Sequence, residues 1–178
     1  MIKKIVIDTE TTGLHPEQGD EILQVSIIDA DTKSVIFNQL VRPAHVSEWA
    51  DAMAVNHISP EDVADKPAFK EYRDIIQDII NYSDEIIGYN TFFDINFLRN
   101  QGVYFSGQKV VDVMAEYMEE MGLYKWAKLV DAAYTYAYDW AAAPPHDSLG
   151  DVYATLYVYQ HLKKYKGGVA SGTDTTTN

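Results

Sequence analysis

Two acidic residues end an apolar segment near the start of the chain. Residues 5–14 are IVIDTETTGL, a β-branched run that would continue as a buried strand if it did not reach Asp8 and Glu10. Because side chains alternate along a strand, both carboxylates point to one face. Like charges held side by side are costly unless a cation neutralises them. The pair therefore predicts a divalent-cation site, although a solvated pair before a Thr-Thr-Gly turn is the alternative.

The cation that would suit such a site follows from its ligands. Carboxylate oxygens alone favour magnesium or manganese over zinc. The chain has no cysteine, which excludes disulfides, thiol nucleophiles and thiolate-bound zinc. Open α/β sheets place their sites at the carboxyl ends of strands, where Asp8 and Glu10 lie. The sequence thus predicts an oxygen-only metal site at one edge of a sheet.

A third acid, Asp94, lies in the segment YNTFFDINFL at residues 89–98. The pattern places it on the first turn of a helix that follows a strand, among large apolar side chains. Such a semi-buried charge needs a partner, and a metal ion would provide one. The alternative is an acid that only benefits from the helix dipole.

The segment HDSLGD at residues 146–151 follows two prolines and begins the last predicted helix. Asp151 could hold a metal ion there, and the His146 imidazole could accept a proton from a water molecule. The alternative is that Asp147 only caps the helix and His146 is an ordinary loop residue.

Taken together, these segments resemble the DEDDh family of 3′→5′ exonucleases, which includes polymerase proofreading epsilon subunits and ribonuclease T. DTETTGL matches the first family motif without departure, Asn90-x-x-Phe93-Asp94 matches the second, and the histidine-x4-aspartate pair followed by Ala154-Thr155 matches the third. The resemblance covers residues 2–162. It implies an α/β, RNase H-like fold: a five-stranded mixed sheet, its first three strands antiparallel, flanked by helices.

The resemblance also implies catalytic roles. Two divalent ions, Mg²⁺ or Mn²⁺, would be held by carboxylates, with Asp8 bridging both. Glu10 and Asp151 would complete one site, and Asp94 would support the other. His146 would orient or deprotonate the attacking water. The expected products are nucleoside 5′-monophosphates released from a 3′ end.

Five further residues are candidates for substrate binding by the same resemblance. Thr11 would contact the 3′ hydroxyl, and Leu14 would pack on or wedge the last base. Phe93 would stack on a base, or else pack in the core. Asn90 belongs to the second motif. His57 lies in Asn-His-Ile-Ser, where relatives often carry His-Gly-Ile, and the glycine is absent here.

Hydrophobic periodicity and turn signals predict the strands and helices that carry these residues. A short Asp-Thr-Lys turn at residues 31–33 predicts antiparallel pairing of the strands on either side of it. Ser59-Pro60 predicts a helix start. The predicted strands cover residues 3–9, 21–30, 34–41, 85–90 and 109–113. The main predicted helices cover residues 69–82, 91–100, 115–121, 125–136 and 147–164.

Length and composition fit one exonuclease domain at residues 1–166, and the small polar residues of 167–178, GGVASGTDTTTN, predict a disordered tail. The net charge of −13 argues against a protein that grips long duplexes, which needs a basic surface. No apolar run would cross a bilayer and no signal peptide is visible, so a cytoplasmic location without membrane contact is expected.

The sequence therefore predicts a metal-dependent 3′→5′ exonuclease on single-stranded or frayed ends. DNA and RNA both remain open, because pocket geometry reads the 2′-hydroxyl. The sequence leaves open whether the protein acts alone, with a second copy of the chain, or beside a polymerase. The competing interpretations are a catalytically silent docking module, which needs no paired metal sites, and an RNase H-like endonuclease or integrase, which would also cut circular substrates.

Overall fold

A mixed β-sheet forms the centre of the molecule. The computed structural model describes residues 3–142 and 145–169, and within them five strands pair in the order β3-β2-β1-β4-β5. The three strands that come first in the chain are antiparallel, whereas β4 and β5 run parallel to β1. The predicted sheet is confirmed. The strands are β1 (Lys4–Thr11), β2 (Ile22–Asp29), β3 (Val35–Leu40), β4 (Glu85–Gly88) and β5 (Lys109–Asp112).

Helices cover both faces of this sheet. The side chains of Ile5 and Ile7 belong to a core formed with α3 and α4, whereas Val6 points to a second core formed with α5, α6 and α7. The strand alternation expected for β1 is thus present. Among the described residues, none of the helices has both the length and the apolar character required to cross a membrane. The helices are α1 (Ala50–Asn56), α2 (Pro60–Val63), α3 (Phe69–Asn81), α4 (Thr91–Asn100), α5 (Val113–Met121), α6 (Leu129–Thr135) and α7 (Ser148–Val169).

Three helices differ most from their sequence-based predictions. Helix α1 was not predicted, because it has only seven residues and Asn56 is the one buried side chain, so no apolar stripe is present. Helix α6 begins four residues later than expected because Lys128 is extended, with φ −74° and ψ 149°. Helix α7 continues to Val169, since its glycines weaken a helix without ending it. Residues 170–178 of the predicted tail lie outside the described part of the chain.

The two neighbours of β1 pair with it over different lengths. Strand β2 pairs along all of residues 5–11, whereas the parallel pairing with β4 ends at Val6 opposite Ile87. The second half of β1 therefore has one edge without a strand partner. This open edge holds the acidic residues of the first motif.

Glu21 fixes the chain segment that leads from β3 towards α1. Its carboxylate is buried, and it accepts hydrogen bonds of 2.8 Å from the backbone N–H groups of Ala44, His45 and Val46. Charge-assisted hydrogen bonds are stronger than neutral ones, so this carboxylate holds three consecutive residues in place. It thereby sets the position of α1, which lies beside the open edge of β1.

We predict that Glu21→Gln destabilises the fold by about 1.5–3 kcal/mol, the contribution of a hydrogen bond to a charged group. The amide replaces an accepting oxygen with an NH₂ group, which faces backbone N–H donors and cannot accept from them. Urea denaturation measures the change. Glu48→Gln, at an exposed carboxylate of the same segment, is the control and should leave stability unchanged. Equal stability of both variants would contradict this role of Glu21.

Candidate active site

Three carboxylates converge at the open edge of β1. Asp8 and Glu10 continue the face that begins with Val6, and this face is covered by α7. Asp151 lies in the first turn of α7. One carboxylate oxygen from each of the three residues lies within 4.8 Å of the others, and all three side chains are half-buried. A single cation could contact all three carboxylates, and the oxygen-only donor set suits magnesium or manganese.

Asp94 approaches the same edge from the opposite side of the sheet. Its side chain is 2 % exposed, and its Oδ1 atom accepts hydrogen bonds from the Thr9 backbone N–H at 2.9 Å and the Thr9 hydroxyl at 2.8 Å. Thr9 lies beyond the last residue of β1 that pairs with β4. The acid thus takes the place of a missing strand partner. Asp94 does not belong to the group of three whose oxygens lie within 4.8 Å.

A tight turn between β4 and α4 delivers Asp94 to this position. Asn90 has φ +60°, a left-handed conformation that asparagine adopts more readily than most residues, and its backbone N–H donates to Asp112 Oδ1 at 3.0 Å. The buried Thr91 hydroxyl donates to the carbonyl oxygen of Val111 at 2.7 Å. A Cβ atom on Gly88 would lie 2.9 Å from that hydroxyl oxygen. Only glycine therefore lets α4 begin so close to the strand end.

The four acids are electrostatically unfavourable as ionised groups. Burial raises the pKa of Asp8 well above its ordinary value, and the carboxylates of Asp94, Asp151 and Glu10 raise it further. Burial together with the charges of Asp151 and Asp94 raises the pKa of Glu10 to about 8. A hydrogen bond from the Asn56 side chain opposes this rise. A divalent cation would remove the repulsion that these groups exert on one another.

Asp94 and Asp151 show the same behaviour. Burial raises the pKa of Asp94 to about 7, against the opposing effect of the two Thr9 hydrogen bonds. Burial also raises the pKa of Asp151 to about 7, opposed by the His146 N–H and reinforced by Asp147. Perturbed acids clustered at a strand end are typical of a functional site. The donor atoms, their spacing and their charge all fit a divalent metal ion.

His146 is held beside Asp151 by its main chain. It has φ +66°, and its N–H donates to Asp151 Oδ1 at 3.3 Å. The side chain remains exposed. Partial burial of the ring lowers its pKa, and the charges of His57 and Lys128 lower it further. A lowered pKa favours the neutral imidazole, which is the form that accepts a proton.

A groove of about 470 Å³ adjoins the acidic edge. Thr11 lies in its wall, buried, with its hydroxyl donating to the Gly13 carbonyl oxygen at 2.6 Å. Leu14 also lines the groove and is 70 % exposed. The Phe93 ring faces the groove and packs on Phe97 with centroids 4.8 Å apart, so it both lines the groove and extends the core.

The other two substrate-binding candidates lie outside the groove lining. Asn90 is the N-cap residue of α4, and His57 is the exposed C-cap residue of α1. His57 nevertheless lies close enough to His146 to affect its pKa. The structure thus gathers Thr11, Leu14 and Phe93 around one groove and places His57 near the histidine of the third motif.

Asn56 is a site residue that the sequence did not indicate. It is buried, and its Nδ2 atom donates to the Thr11 carbonyl oxygen at 3.1 Å. Its Oδ1 atom accepts from the Ile58 N–H at 3.1 Å, and its side chain also hydrogen-bonds to Glu10. The residue therefore connects α1 to the first motif. A single asparagine in a short polar helix carries no sequence signal for this role.

A second unpredicted contact joins α7, which carries Asp151, to β2, the strand paired with the acid-bearing β1. Ser26 lies opposite Asp8 in the β1–β2 pairing, and its hydroxyl oxygen is 2.5 Å from that of Ser148 in α7. Both residues are fully buried. Ser148 precedes Asp151 by three residues, so the two share one helix face. The hydroxyl pair therefore sets the distance between the strand acids and the helix acid.

An RNase H-like sheet with acids at the carboxyl end of its first strand defines a metal-dependent nuclease class, and sequence comparison makes the assignment specific. The exonuclease family model matches residues 5–159. The chain belongs to this family of DnaQ-like 3′→5′ exonucleases. The uncharacterized exonuclease CP81 of Escherichia phage 186 is 32 % identical over 185 residues, which cover 94 % of this chain and 90 % of the phage protein.

Other relatives match over part of their length. The DNA polymerase III subunit epsilon of Rickettsia felis is 35 % identical over 103 residues, or 56 % of this chain and 44 % of the relative. The chain thus spans less than half of the epsilon subunit.

Solved structures provide a second comparison. Exonuclease X in complex with 5′ overhanging duplex DNA has a TM-score of 0.67 at 23 % identity, and the match covers 92 % of this chain and 93 % of the exonuclease X chain. The nuclease domain of 3′hExo, a DEDDh family member bound to rAMP, has a TM-score of 0.67 at 16 % identity, covering 98 % and 96 %. Both structures share this fold.

We predict that Glu10→Gln stabilises the metal-free protein at pH 8. The folded chain holds the Glu10 proton up to about pH 8, whereas the unfolded chain releases it near the ordinary value of 4.5. Between these values the native state binds more protons, so the stability of the parent protein falls as pH rises. The Glu10→Gln variant has no ionisable group at this position, so it does not lose this stability as the pH rises. Its melting temperature should exceed that of the parent by about 2–4 °C for each kcal/mol gained in a domain of this size.

Thermal denaturation in the presence of a chelator measures this difference. The gain should shrink as the pH is lowered towards 4.5, where both states of the parent bind the proton. Glu17→Gln, at an exposed carboxylate just after the groove segment, is the control and should show no such gain. A Glu10→Gln variant less stable than its parent at pH 8 would show that the acids do not repel one another.

We predict that Ser148→Ala weakens Mn²⁺ binding by about 10-fold, the lower end of the range for residues that orient metal ligands. Loss of the hydroxyl frees the start of α7 to move relative to Asp8. Calorimetric titration measures the affinity. Ser83→Ala is the matched control, because Ser83 is also buried, donates to the Ile79 carbonyl oxygen at 2.7 Å, and precedes β4 at the opposite end of the sheet. Equal Mn²⁺ affinity in both variants would refute this positioning role of Ser148.

Proposed function

We propose that this protein is a metal-dependent exonuclease that hydrolyses the last phosphodiester bond at the 3′ end of a single strand or frayed end. The observation that carries the proposal is the set of three carboxylates within 4.8 Å of one another at the open edge of β1. The groove beside them is large enough for a terminal nucleotide. Family membership supports the reaction class.

The residues have distinct tasks in this reaction. Asp8, Glu10 and Asp151 would hold one divalent ion, and Asp94, close to Asp8, would support a second. Bound Mg²⁺ or Mn²⁺ supplies an activated water at neutral pH and stabilises negative charge on the phosphate and on the leaving 3′ oxygen. The carboxylates themselves would bind and orient the ions. The spacing of the carboxylates would determine which phosphate the ions contact.

His146 is assigned the role of general base. A neutral imidazole beside Asp151 can take a proton from the water that attacks the phosphate. The hydrogen bond between its N–H and Asp151 Oδ1 fixes the backbone position of the histidine relative to the acid. The exposed position of the ring allows the accepted proton to pass on to solvent.

The groove supports attack at a terminus. It is lined by the Thr11–Leu14 segment and by residues of α1, and a terminal nucleotide seated between them would lie beside the acids. Leu14, exposed at the groove, would pack on the last base, and Phe93 offers a ring for stacking. Thr11 would approach the 3′ hydroxyl, with its hydroxyl now directed to the Gly13 carbonyl oxygen.

Partners of this chain follow from its relatives only as proposals. Exonuclease I of E. coli has a TM-score of 0.71 at 20 % identity, covering 93 % of this chain and 43 % of its own, and was solved in complex with a dA16 oligonucleotide. We therefore propose single-stranded DNA or RNA 3′ ends as the substrate. A polymerase partner, suggested by the epsilon relatives, and a second copy of the chain stay predictions, as does a cytoplasmic location.

The test is degradation of a 5′-labelled single strand in the presence of Mg²⁺. We predict a ladder that shortens from the 3′ end, with nucleoside 5′-monophosphates as products, and no degradation by Asp8→Ala. His146→Gln should lower kcat by about 10²- to 10⁴-fold, the contribution of a general base. His45→Gln, at an exposed histidine in the segment held by Glu21, should retain full activity.

DNA and RNA strands of the same sequence, and a circular strand, are tested in parallel. Cutting of the circular strand would instead show an endonuclease, and activity that survives Asp8→Ala would show that the acids are not needed. If no strand is degraded and no Mg²⁺ binds, the fold serves as a docking module and the proposal is wrong.

A further inference from the structure

The connection between α5 and α6 carries two exposed aromatic side chains within three residues. Tyr124 is 100 % exposed and Trp126 is 77 % exposed, and the segment has no regular secondary structure. Tyr and Trp are enriched at interfaces, and large apolar side chains exposed close together are typical of binding sites. Residues 124–128, YKWAK, are called the YKWAK loop below.

The YKWAK loop is attached to the region of the acidic edge. The hydroxyl of Tyr89, the residue after β4 and before Asn90, donates to the Ala127 carbonyl oxygen at 2.9 Å. This contact joins the loop to the turn that delivers Asp94. The loop therefore lies beside the active site and not at a remote surface.

The charge of the YKWAK loop is opposite to that of the rest of the molecule. The chain has 27 acidic and 14 basic residues, yet the loop contains two lysines and no acid. Both lysines are exposed. Exposed aromatic rings interleaved with positive charge are the combination that single strands require, because bases stack on rings and phosphates pair with ammonium groups.

We propose that the YKWAK loop binds the nucleotides that precede the terminal one, with Tyr124 and Trp126 stacking on bases and Lys125 and Lys128 contacting phosphates. This inference rests on the proposed function, because it assigns a path to the strand whose 3′ end lies in the groove. It explains how a protein of net charge −13 can retain a polyanion. Stacking is tolerant of base identity, so the loop would favour strand length over sequence.

The test compares a long oligo(dT) strand with a dithymidylate, both degraded in Mg²⁺. The ratio of kcat/KM for the long strand to that for the dithymidylate should fall about 5- to 150-fold in Trp126→Ala, the factor that stacking of one base provides. The loss should appear as a higher KM for the long strand. Because Trp126 is exposed, the variant should fold as the parent does.

Tyr104→Ala is the matched control. Tyr104 is 77 % exposed, like Trp126, but it lies in the connection that precedes β5, at the opposite end of the parallel strands from the acids. Its substitution should leave the ratio unchanged. Lys125→Gln tests the charge separately, and it should make log KM for the long strand less dependent on log salt by about 0.7, the value for one phosphate contact on a single strand.

The outcomes separate this inference from the proposed function. If the parent degrades neither substrate, the proposed function fails, whatever the loop does. If the parent degrades both and Trp126→Ala leaves the ratio unchanged, the YKWAK loop does not bind the strand. A shift in oligomeric state of Trp126→Ala with an unchanged ratio would show an interface between copies, and would also overturn the inference.

Discussion

Repulsion among carboxylates at the open edge of β1 is the constraint on which the arrangement of this molecule depends. Folding brings Asp8, Glu10, Asp94 and Asp151 together, and each of them has a pKa above its ordinary value because of burial. Such a cluster opposes folding unless protons or cations reduce its charge. The surrounding structure must therefore hold the acids in place against a force that separates them.

The protein meets this force with hydrogen bonds at several points. Thr9 donates twice to Asp94, the His146 N–H donates to Asp151, and Asn56 donates towards Glu10. Each bond compensates part of the charge of one acid and leaves other oxygen lone pairs free for a metal ion. The buried pair Ser26–Ser148 fixes the helix relative to the strand without adding charge. The four acids thus make the metal-free protein less stable, and a bound cation would remove their repulsion. A loss of stability at a functional site is common.

Much of this could be predicted from the sequence, for a physical reason. Alternation along β1 alone places Asp8 and Glu10 on one face, and the periodicity of α3 and α4 gives elements close to those observed. The spacing of apolar and polar residues along the chain predicts strands and helices well. The family resemblance then links three distant motifs, which periodicity alone would have left separate.

The remainder depends on contacts between segments far apart in the chain, and single residues give no sign of them. Asn56 belongs to a helix too short to show an apolar stripe, and Ser26 and Ser148 are small polar residues whose burial follows only from packing of α7 on β2. The delayed start of α6 depends on an extended Lys128 next to the Tyr89–Ala127 hydrogen bond. The Phe93 ring packs on Phe97 and also lines the groove, and its stacking on a base stays a prediction.

A crystal structure of the protein grown with Mn²⁺ and analysed by anomalous scattering would show directly whether the acidic edge holds a metal ion. We predict an anomalous peak bounded by the carboxylates of Asp8, Glu10 and Asp151, at the distances of about 2.0–2.2 Å that small divalent cations require. The three side chains should keep the positions described here, because the fold already holds them together. A peak only at other acidic residues, or an Asp151 side chain turned away from Asp8, would contradict the claim that this edge is built for a metal ion.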